Sequence, residues 1–262
     1  MYEMYMISFA ESIILAFVQG ITEWLPVSSS AHLSLVSHFF HVESSSVFYV
    51  IMLHFATAFV VLFIFQKEFF KMFKAFFRAD FKSEYGKKAL FLIIATLPVA
   101  VLGVFLESIF EKIYLNINLI GLFLLLTGLF LFLVEKFPRG LALNYKNTFI
   151  IGLSQIISVF PGISRSGITL GTGLLLGIKK EEAAKFSFML GVPLLLGAGL
   201  FQLIFSPFSI DIEFFPLIIG IIVTMVTSYF SIKFLLKVIM KEKLWYFGIY
   251  CFLISLLVLV FG

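Results

Sequence analysis

The chain has 262 residues, 61% of them hydrophobic, and its mean hydropathy is +1.10. A soluble domain of this length does not need so much apolar surface, so the composition excludes the soluble classes and predicts an all-α polytopic membrane protein with one transmembrane domain. Basic residues outnumber acidic ones by 19 to 15, but their distribution follows membrane topology and therefore does not indicate nucleic-acid binding. The single cysteine excludes an intramolecular disulfide.

Six apolar runs are long enough to cross a bilayer of ~30 Å. In chain order they are residues 47–66, 90–106, 117–134, 183–205, 214–237 and 244–261. Two further regions, about residues 7–40 and 148–178, are too short or too polar for two spans each. Because proline removes a backbone donor and clashes with the preceding turn, we predict helix–break–helix hairpins at Pro26 and Pro161. We interpret both hairpins as re-entrant, so that each turns inside the membrane and leaves on the side it entered.

Basic residues cluster in the loops that this arrangement places on one side of the membrane, which the positive-inside rule makes the cytoplasmic side. They are Lys67, Lys71, Lys74, Arg78, Lys82, Lys87, Lys88, Lys136, Arg139, Lys146, Lys179, Lys180, Lys185, Lys233, Lys237, Lys241 and Lys243. The opposite loops carry Glu43, Glu107, Glu111, Asp211 and Glu213, with Lys112 as the exception. A full crossing by either hairpin would distribute the basic residues over both sides of the membrane. With both hairpins re-entrant, we expect both termini to be extracytoplasmic.

The two broken regions look like two copies of one motif, separated by about half the chain. The aligned pairs are Pro26 and Pro161, Ser29 and Ser164, and Ser34 and Thr169, with a weaker match between residues 120–122 and 247–249. Each copy, about residues 1–137 and 138–262, contains one hairpin and three spans. Because three is odd, the second copy is inverted, and the two hairpin tips are expected to meet near the midplane.

The first tip is polar at membrane depth, where such residues are tolerated only if they line a protein cavity. Gln19 and Glu23 are four residues apart and share a face if that stretch is helical. The serines at 28–30 follow Pro26 where a new helix would begin, and the free N–H groups and partial positive charge of a first helical turn favour a phosphate. His32 follows Ser29 within one turn, so the two are candidates for a nucleophile–base pair.

The second tip contains Arg165, the one arginine far from the cytoplasmic loops. A charge at the bilayer centre costs ~2.5–3.5 kcal/mol on the insertion scale, so an anion of the site or of a ligand must offset it. The planar guanidinium suits bidentate contact with phosphate oxygens. Ser164, Ser166 and Thr169 would add hydroxyl donors around the same anion.

The stretches TEWLPVSSSAH (22–32) and PGISRSG (161–167) resemble the two signature motifs of the undecaprenyl-diphosphatases of the bacitracin-resistance type. The resemblance extends over essentially the whole chain. It implies hydrolysis of undecaprenyl or a similar polyprenyl diphosphate to polyprenyl phosphate and inorganic phosphate, which recycles the lipid carrier of cell-wall and surface-glycan synthesis. It also implies an inverted repeat with two re-entrant hairpins.

The resemblance assigns roles to particular residues. Ser29 matches the nucleophilic serine, His32 the motif histidine, and Glu23 the second acidic residue of the first motif. Our hypothesis is a metal-assisted phosphoryl transfer, with Mg²⁺ or Ca²⁺ held partly by Glu23. Arg165 matches the phosphate-binding arginine, and the remaining substrate-binding candidates are Gln19, Ser28, Ser164, Ser166 and Thr169. Gln19 departs from the pattern, because many members have glutamate there, and this puts a second carboxylate ligand in doubt. Water, activated by Glu23 or His32, is an alternative nucleophile.

Other interpretations remain open at this stage. Inverted repeats with broken helices are also typical of transporters, so the chain could move polyprenyl phosphate or a small anion across the membrane. The Ser–His–Glu grouping favours chemistry, since a carrier needs only to bind its anion.

We interpret His38, His41 and His54 as mostly structural or interfacial, although His54 could line the cavity. The oligomeric state is open, and the active site is expected to face outward.

Overall fold

The structure is a computed structural model that describes residues 6–40, 47–114, 116–134, 140–205, 210, 212–241 and 243–261. For residues 104 and 106–112 it describes the backbone alone. Several residues of the predicted charge pattern lie outside the described residues or side chains: Glu43, Lys136, Arg139 and Asp211, and the side chains of Glu107, Glu111 and Lys112. His41 also lies outside them.

Helices make up nearly all of the regular structure in these residues, which confirms the all-α prediction. They are α1 (Phe9–Thr22), α2 (Ser29–Phe39), α3 (Val47–Ile64), α4 (Gln66–Phe77), α5 (Glu84–Tyr114), α6 (Ile117–Val134), α7 (Tyr145–Gln155), α8 (Arg165–Leu175), α9 (Lys180–Phe205), α10 (Phe214–Met240) and α11 (Trp245–Phe261). A short 3-10 turn, Ile156–Val159, follows α7.

Five described helices are long and apolar enough to cross a membrane: Val47–Ile64, Glu84–Gly103 within α5, and all of α6, α9 and α10. They correspond to the first five predicted spans. The sixth predicted span is the shorter apolar helix α11, which has 17 residues and is therefore about 26 Å long at ~1.5 Å per residue. The chain is thus a multi-pass membrane protein.

A helix ends before each of the two prolines that the sequence marks as breaks. The chain leaves α1 at Thr22 and enters α2 at Ser29, with Pro26 in the turn between them. It leaves α7 at Gln155 and enters α8 at Arg165, with Pro161 in the second turn. The helices end several residues ahead of each proline, as expected because the residue before a proline avoids the helical region.

Close helix contacts hold the two breaks in place. Contacts pair α1 with α10, α7 with α5, and α6 with α11, while α3 lies against both α9 and α10. Glycines permit the closest approaches: a Cβ at Gly152 of α7 would lie 2.8 Å from the Ala95 carbonyl oxygen of α5. The outward faces of these helices carry exposed apolar side chains such as Phe214 and Phe230, as expected where they meet lipid.

The glycine contact between α7 and α5 gives a test of this packing. We expect Gly152→Ala to lower the free energy of unfolding by ~1–3 kcal/mol, because the new methyl group meets backbone atoms that cannot rotate away. Gly197→Ala on α9 is the matched control, since no atom of the described residues lies within 4 Å of the position that a Cβ would take there. The measurement is reversible unfolding in mixed micelles. Equal stability of the two variants would contradict the helix pairing.

Candidate active site

The two breaks bring three charged or polar side chains into direct contact. Glu23 lies at the carboxyl end of α1, Ser29 is the first residue of α2, and Arg165 is the first residue of α8. Arg165 Nη2 donates to Glu23 Oε1 at 2.6 Å, and Ser29 Oγ donates to Glu23 Oε2 at 2.6 Å. The arginine that the sequence places at membrane depth is therefore offset by a carboxylate of the other hairpin.

Glu23 is surrounded by donors in a region with little access to solvent. Its side chain is 5% exposed, and that of Arg165 is 9% exposed. Gln19, one turn earlier on α1, donates its Nε2 to Glu23 Oε2 at 2.9 Å. A buried charge of this kind is stable only when it is paired and hydrogen-bonded, and Glu23 meets both conditions.

Arg165 rests in a seat formed by Trp24 and Gly191. The guanidinium carbon lies 4.9 Å from the centre of the Trp24 ring, a cation–π contact. A Cβ at Gly191 on α9 would collide with Arg165 Nη1 and lie 2.7 Å from Trp24 Cζ3. Only a glycine leaves room for the guanidinium in this position, so Gly191 and Trp24 together fix where Arg165 lies.

Three buried polar atoms around this cluster have no hydrogen-bond partner in the part of the chain that the structure describes. They are Arg165 Nη1, Trp24 Nε1 and Gln19 Oε1. An unpaired buried polar group typically costs ~1–3 kcal/mol. The clustering of three such unpaired atoms around Glu23 is typical of a site that is completed by a ligand.

Both hairpins use the same local geometry at the start of the second helix. Ser28 caps α2 and accepts from the Ala31 N–H, while Ser164 caps α8 and accepts from the Gly167 N–H. In each case the cap hydroxyl lies 3.2 Å from the hydroxyl two residues later, Ser30 or Ser166. Ser28 therefore corresponds to Ser164, and Ser29 to Arg165. The predicted pairing of Ser29 with Ser164 was wrong by one residue, because the second break contains one residue more.

Serines also join the two hairpin tips to each other. Ser28 Oγ accepts from the Gly162 N–H at 3.2 Å, and Ser166 Oγ donates to the Leu25 carbonyl at 2.9 Å. Ser28 has a φ of +66°, in the left-handed region that residues other than glycine rarely adopt. The tips are therefore fixed to one another by side chains that reach across the break.

Several predicted phosphate ligands are already engaged within the protein. Ser164, Ser166 and Thr169 are 1–2% exposed, and Thr169 Oγ1 donates to the Arg165 carbonyl at 2.9 Å while lying 2.7 Å from Ser187 Oγ. These hydroxyls hold the second tip together in this structure. Ser29 and its neighbour Ser30 are half-buried, so they are more accessible than Ser28, Ser164 and Ser166.

His32 does not form the hydrogen bond with Ser29 that its spacing suggested. Its Nδ1 lies 2.8 Å from the Ser28 carbonyl, and its Nε2 lies 2.7 Å from the Tyr250 hydroxyl of α11. A carbonyl only accepts, so Nδ1 carries a hydrogen, and in the neutral ring Nε2 then accepts from the Tyr250 hydroxyl. The rings of His32 and Tyr250 also stack at 5.6 Å. In this arrangement His32 anchors the turn around Ser28, and Glu23 is the acceptor for Ser29.

His54 on α3 was interpreted from the sequence as mostly structural, and the structure places it beside Glu23. Its Nε2 lies 3.6 Å from Glu23 Oε2, and its Nδ1 lies 2.8 Å from the Val50 carbonyl. No local motif marks His54 or Gly191, because each reaches the site only through tertiary packing. The charge on Glu23 was the one feature of the sequence that indicated further contacts at the site, since a buried carboxylate needs several hydrogen-bonding or charged partners.

The residues around Glu23 offer limited ligation for a divalent cation. Among the described residues, no group of three or more His, Cys, Asp or Glu side chains is placed to hold a metal ion. Gln19 Oε1 is nevertheless a buried acceptor without a partner in the described chain, and Glu23 adds a carboxylate. Oxygen ligands of this type suit Mg²⁺ or Ca²⁺, and Mg²⁺ commonly takes its other ligands from water and substrate phosphates.

An apolar cavity of ≈ 390 Å³ lies against the first tip. Leu25 and Val27 line it from the tip, and Phe234, Tyr246 and Tyr250 line it from α10 and α11. Tyr250 also contacts His32, so one wall of the cavity is continuous with the turn that carries Ser29.

Comparison with known proteins gives a match over nearly the full length. A family model described as bacitracin resistance protein BacA matches residues 12–257. The chain is 39% identical over 255 residues to an undecaprenyl-diphosphatase of Methanococcus vannielii, covering 96% of this chain and 99% of that protein. It is 36% identical to an undecaprenyl-diphosphatase of Korarchaeum cryptofilum, with 95% and 98% covered, and 36% identical to undecaprenyl-diphosphatase 1 of Shouchella clausii, with 97% and 96% covered.

The pairing of Glu23 with Arg165 is testable by a double-mutant cycle. We expect Glu23→Gln and Arg165→Gln each to lower the free energy of unfolding by ~3–5 kcal/mol, because each leaves a buried group unpaired. The double variant should lose clearly less free energy of unfolding than the two single variants lose together.

The exposed pair of Glu84 and Lys88, also 2.6 Å apart, provides the matched control. Solvent screens that pair, so its coupling should be below ~1 kcal/mol. Additive losses at Glu23 and Arg165 would show that the two residues do not depend on each other.

Proposed function

We propose, because this chain belongs to the family of the bacitracin resistance protein BacA, that it hydrolyses undecaprenyl diphosphate or a similar polyprenyl diphosphate. The products are the polyprenyl phosphate and inorganic phosphate. The relatives named above are undecaprenyl-diphosphatases, and none of these names favours the transporter alternative. In this role the protein recycles the lipid carrier of cell-wall and surface-glycan synthesis.

One observation carries the proposal: a hydroxyl, its proton acceptor and a guanidinium converge at the meeting point of two helix N-termini. Ser29 and Arg165 both donate to Glu23 at 2.6 Å. Helix N-termini and a guanidinium are groups that bind phosphate. Arg165 Nη1 has no hydrogen-bond partner among the described residues, so its N–H groups remain able to donate to a phosphate. This arrangement supports phosphoryl transfer more specifically than anion transport, which requires no nucleophile.

The chemical step follows from these contacts. Arg165 and the N–H groups at the start of α2 hold the terminal phosphate, and Ser29 Oγ attacks its phosphorus as the hydroxyl proton passes to Glu23 Oε2. The bond to the bridging oxygen breaks, and polyprenyl phosphate leaves with the electron pair. Water then releases phosphate from Ser29, which regains its proton from Glu23.

Two alternatives for the site residues stay within this scheme. In the first, water is the nucleophile and Ser29 only positions phosphate. In the second, His32 relays a proton, as the sequence suggested; its bonds to Ser28 and Tyr250 support instead a role in holding the turn that carries Ser29. Ser164, Ser166 and Thr169 would then shape the site through the second tip.

A divalent cation, Mg²⁺ or Ca²⁺, is part of the proposal. Glu23 and Gln19 would hold it, since both present oxygens at the site, and it would neutralise negative charge on the phosphate oxygens. Gln19 is neutral where many members have glutamate, so this chain would offer the cation one negative ligand from α1.

The proposed membrane arrangement is an inverted repeat of halves at about 1–137 and 138–262. The pairing of α1 with α10 is matched by that of α7 with α5, as a two-fold relation between the halves requires. Ser255 Oγ donates to the Gly121 carbonyl at 2.7 Å, and Gly248 lies against Gly128, which supports the weak match of residues 120–122 with 247–249. Both hairpins would be re-entrant, with both termini extracytoplasmic and the active site facing outward.

The substrate's tail requires an apolar environment beside the site. The cavity lined by Leu25, Val27 and the aromatic residues of α10 and α11 supports such a role, because it is apolar and adjoins the turn around Ser29. We assign it to part of the polyprenyl chain.

The first test of the function is phosphate release from a polyprenyl diphosphate by the purified protein in detergent, which abolishes transport but not hydrolysis. We expect Ser29→Ala to reduce kcat by at least ~100-fold, because the nucleophile is lost. Ser37→Ala on the same helix is the matched control, since the Ser37 hydroxyl has no partner among the described residues. A phosphoserine trapped at position 29 would support attack by Ser29. Substantial turnover by Ser29→Ala would assign the attack to water.

The seat of Arg165 gives a second test of the same activity. We expect Gly191→Ala to lower kcat/KM by at least ~10-fold, because the new methyl group displaces the guanidinium from its position against Trp24. Gly197→Ala on the same helix should retain the original rate. Unchanged kcat/KM in Gly191→Ala would show that catalysis does not require Arg165 in this place.

A further inference from the structure

The helix α4 carries an exposed surface that the proposed hydrolysis does not use. We propose that α4 binds the headgroups of anionic phospholipids at the membrane surface. The surface consists of an aromatic stripe, Phe70, Phe73 and Phe77, beside a basic stripe, Lys67, Lys71, Lys74 and Arg78.

The position of α4 in the chain puts it at the surface of the bilayer. It begins at Gln66, two residues after α3 ends at Ile64, and it leads to α5. Both α3 and the first part of α5 are long and apolar enough to span the membrane. A 12-residue helix with three lysines and a glutamate is too short and too polar to cross, so it lies where the two spans meet the headgroups.

One face of α4 packs against the protein, and most of its remaining surface is exposed. Met72 is 3% exposed, and the half-buried Phe69 packs against the core. By contrast, Phe70, Phe73 and Phe77 are 68%, 63% and 71% exposed. Rings spaced three and four residues apart on a helix form one stripe, and an exposed stripe of this kind next to two spans is typical of a helix that inserts into the headgroup and acyl boundary.

The charges select the partner. Lys67, Lys71, Lys74 and Arg78 recur at four- and three-residue intervals, so they form a second stripe that adjoins the aromatic one. All four residues are exposed. A second copy of the chain would bring the same positive charges together, whereas anionic headgroups complement them. Lys71 also donates to the Tyr85 hydroxyl at 3.2 Å, which fixes the stripe relative to α5.

Lipid retention by the purified protein tests the proposal directly. The protein in mild detergent is incubated with equal amounts of phosphatidylglycerol and phosphatidylcholine, separated by size exclusion, and its bound lipids are counted by mass spectrometry. We expect at least a tenfold preference for phosphatidylglycerol. The triple variant Lys67→Gln, Lys74→Gln and Arg78→Gln should reduce that preference to twofold or less.

A matched variant removes the same number of charges around the start of α9, at Lys179→Gln, Lys180→Gln and Lys185→Gln. It should retain the original preference, because Phe186 and Phe188, the aromatic side chains of that part of α9, are buried. A wild-type protein without preference would overturn the proposal, as would equal loss in both triple variants. The elution profile from the size-exclusion step serves as the folding check for each variant. Phosphate release by the wild type tests the hydrolase assignment separately.

Discussion

The contact between Glu23 and Arg165 is the constraint on which the site depends. Each charge is buried among largely apolar helices, and neither would be stable there alone. The two residues belong to different hairpins, so their pairing fixes the tips relative to each other. Because Ser29 donates to the same carboxylate, the interaction that offsets the buried charge also sets the geometry of the proposed chemistry. Structure and reactivity are therefore linked through one carboxylate.

Much of the architecture could be predicted from local features of the sequence. Apolar run length is a strong signal in membrane proteins, and it located helices such as α6 and α10. The prolines at 26 and 161 located the two breaks because each stands in a polar stretch, whereas Pro98 and Pro193 lie inside the apolar helices α5 and α9. The high cost of a charge at membrane depth identified Arg165 as a residue with an obligatory partner. These inferences succeeded because each depends on the residue and its immediate neighbours.

The remaining features depend on tertiary contacts that no local pattern records. His32 bonds to Tyr250, 218 residues later, so its spacing from Ser29 gave no warning that both ring nitrogens are engaged. His54 reaches Glu23 from α3, and Gly191 makes room for Arg165 from α9. The alignment of the two tips was wrong by one residue because serines occupy three successive positions in the first tip, and only the cap geometry shows that Ser28 corresponds to Ser164.

The assignment of Ser29, Glu23 and Arg165 to one active site is best tested by an experimental structure with a polyprenyl diphosphate analogue in which methylene replaces the bridging oxygen. We expect the terminal phosphonate to contact the Arg165 guanidinium and Ser29 Oγ to face its phosphorus from the side opposite the methylene. A diphosphonate bound elsewhere, with Arg165 and Ser29 both remote from it, would show that these residues are not the active site.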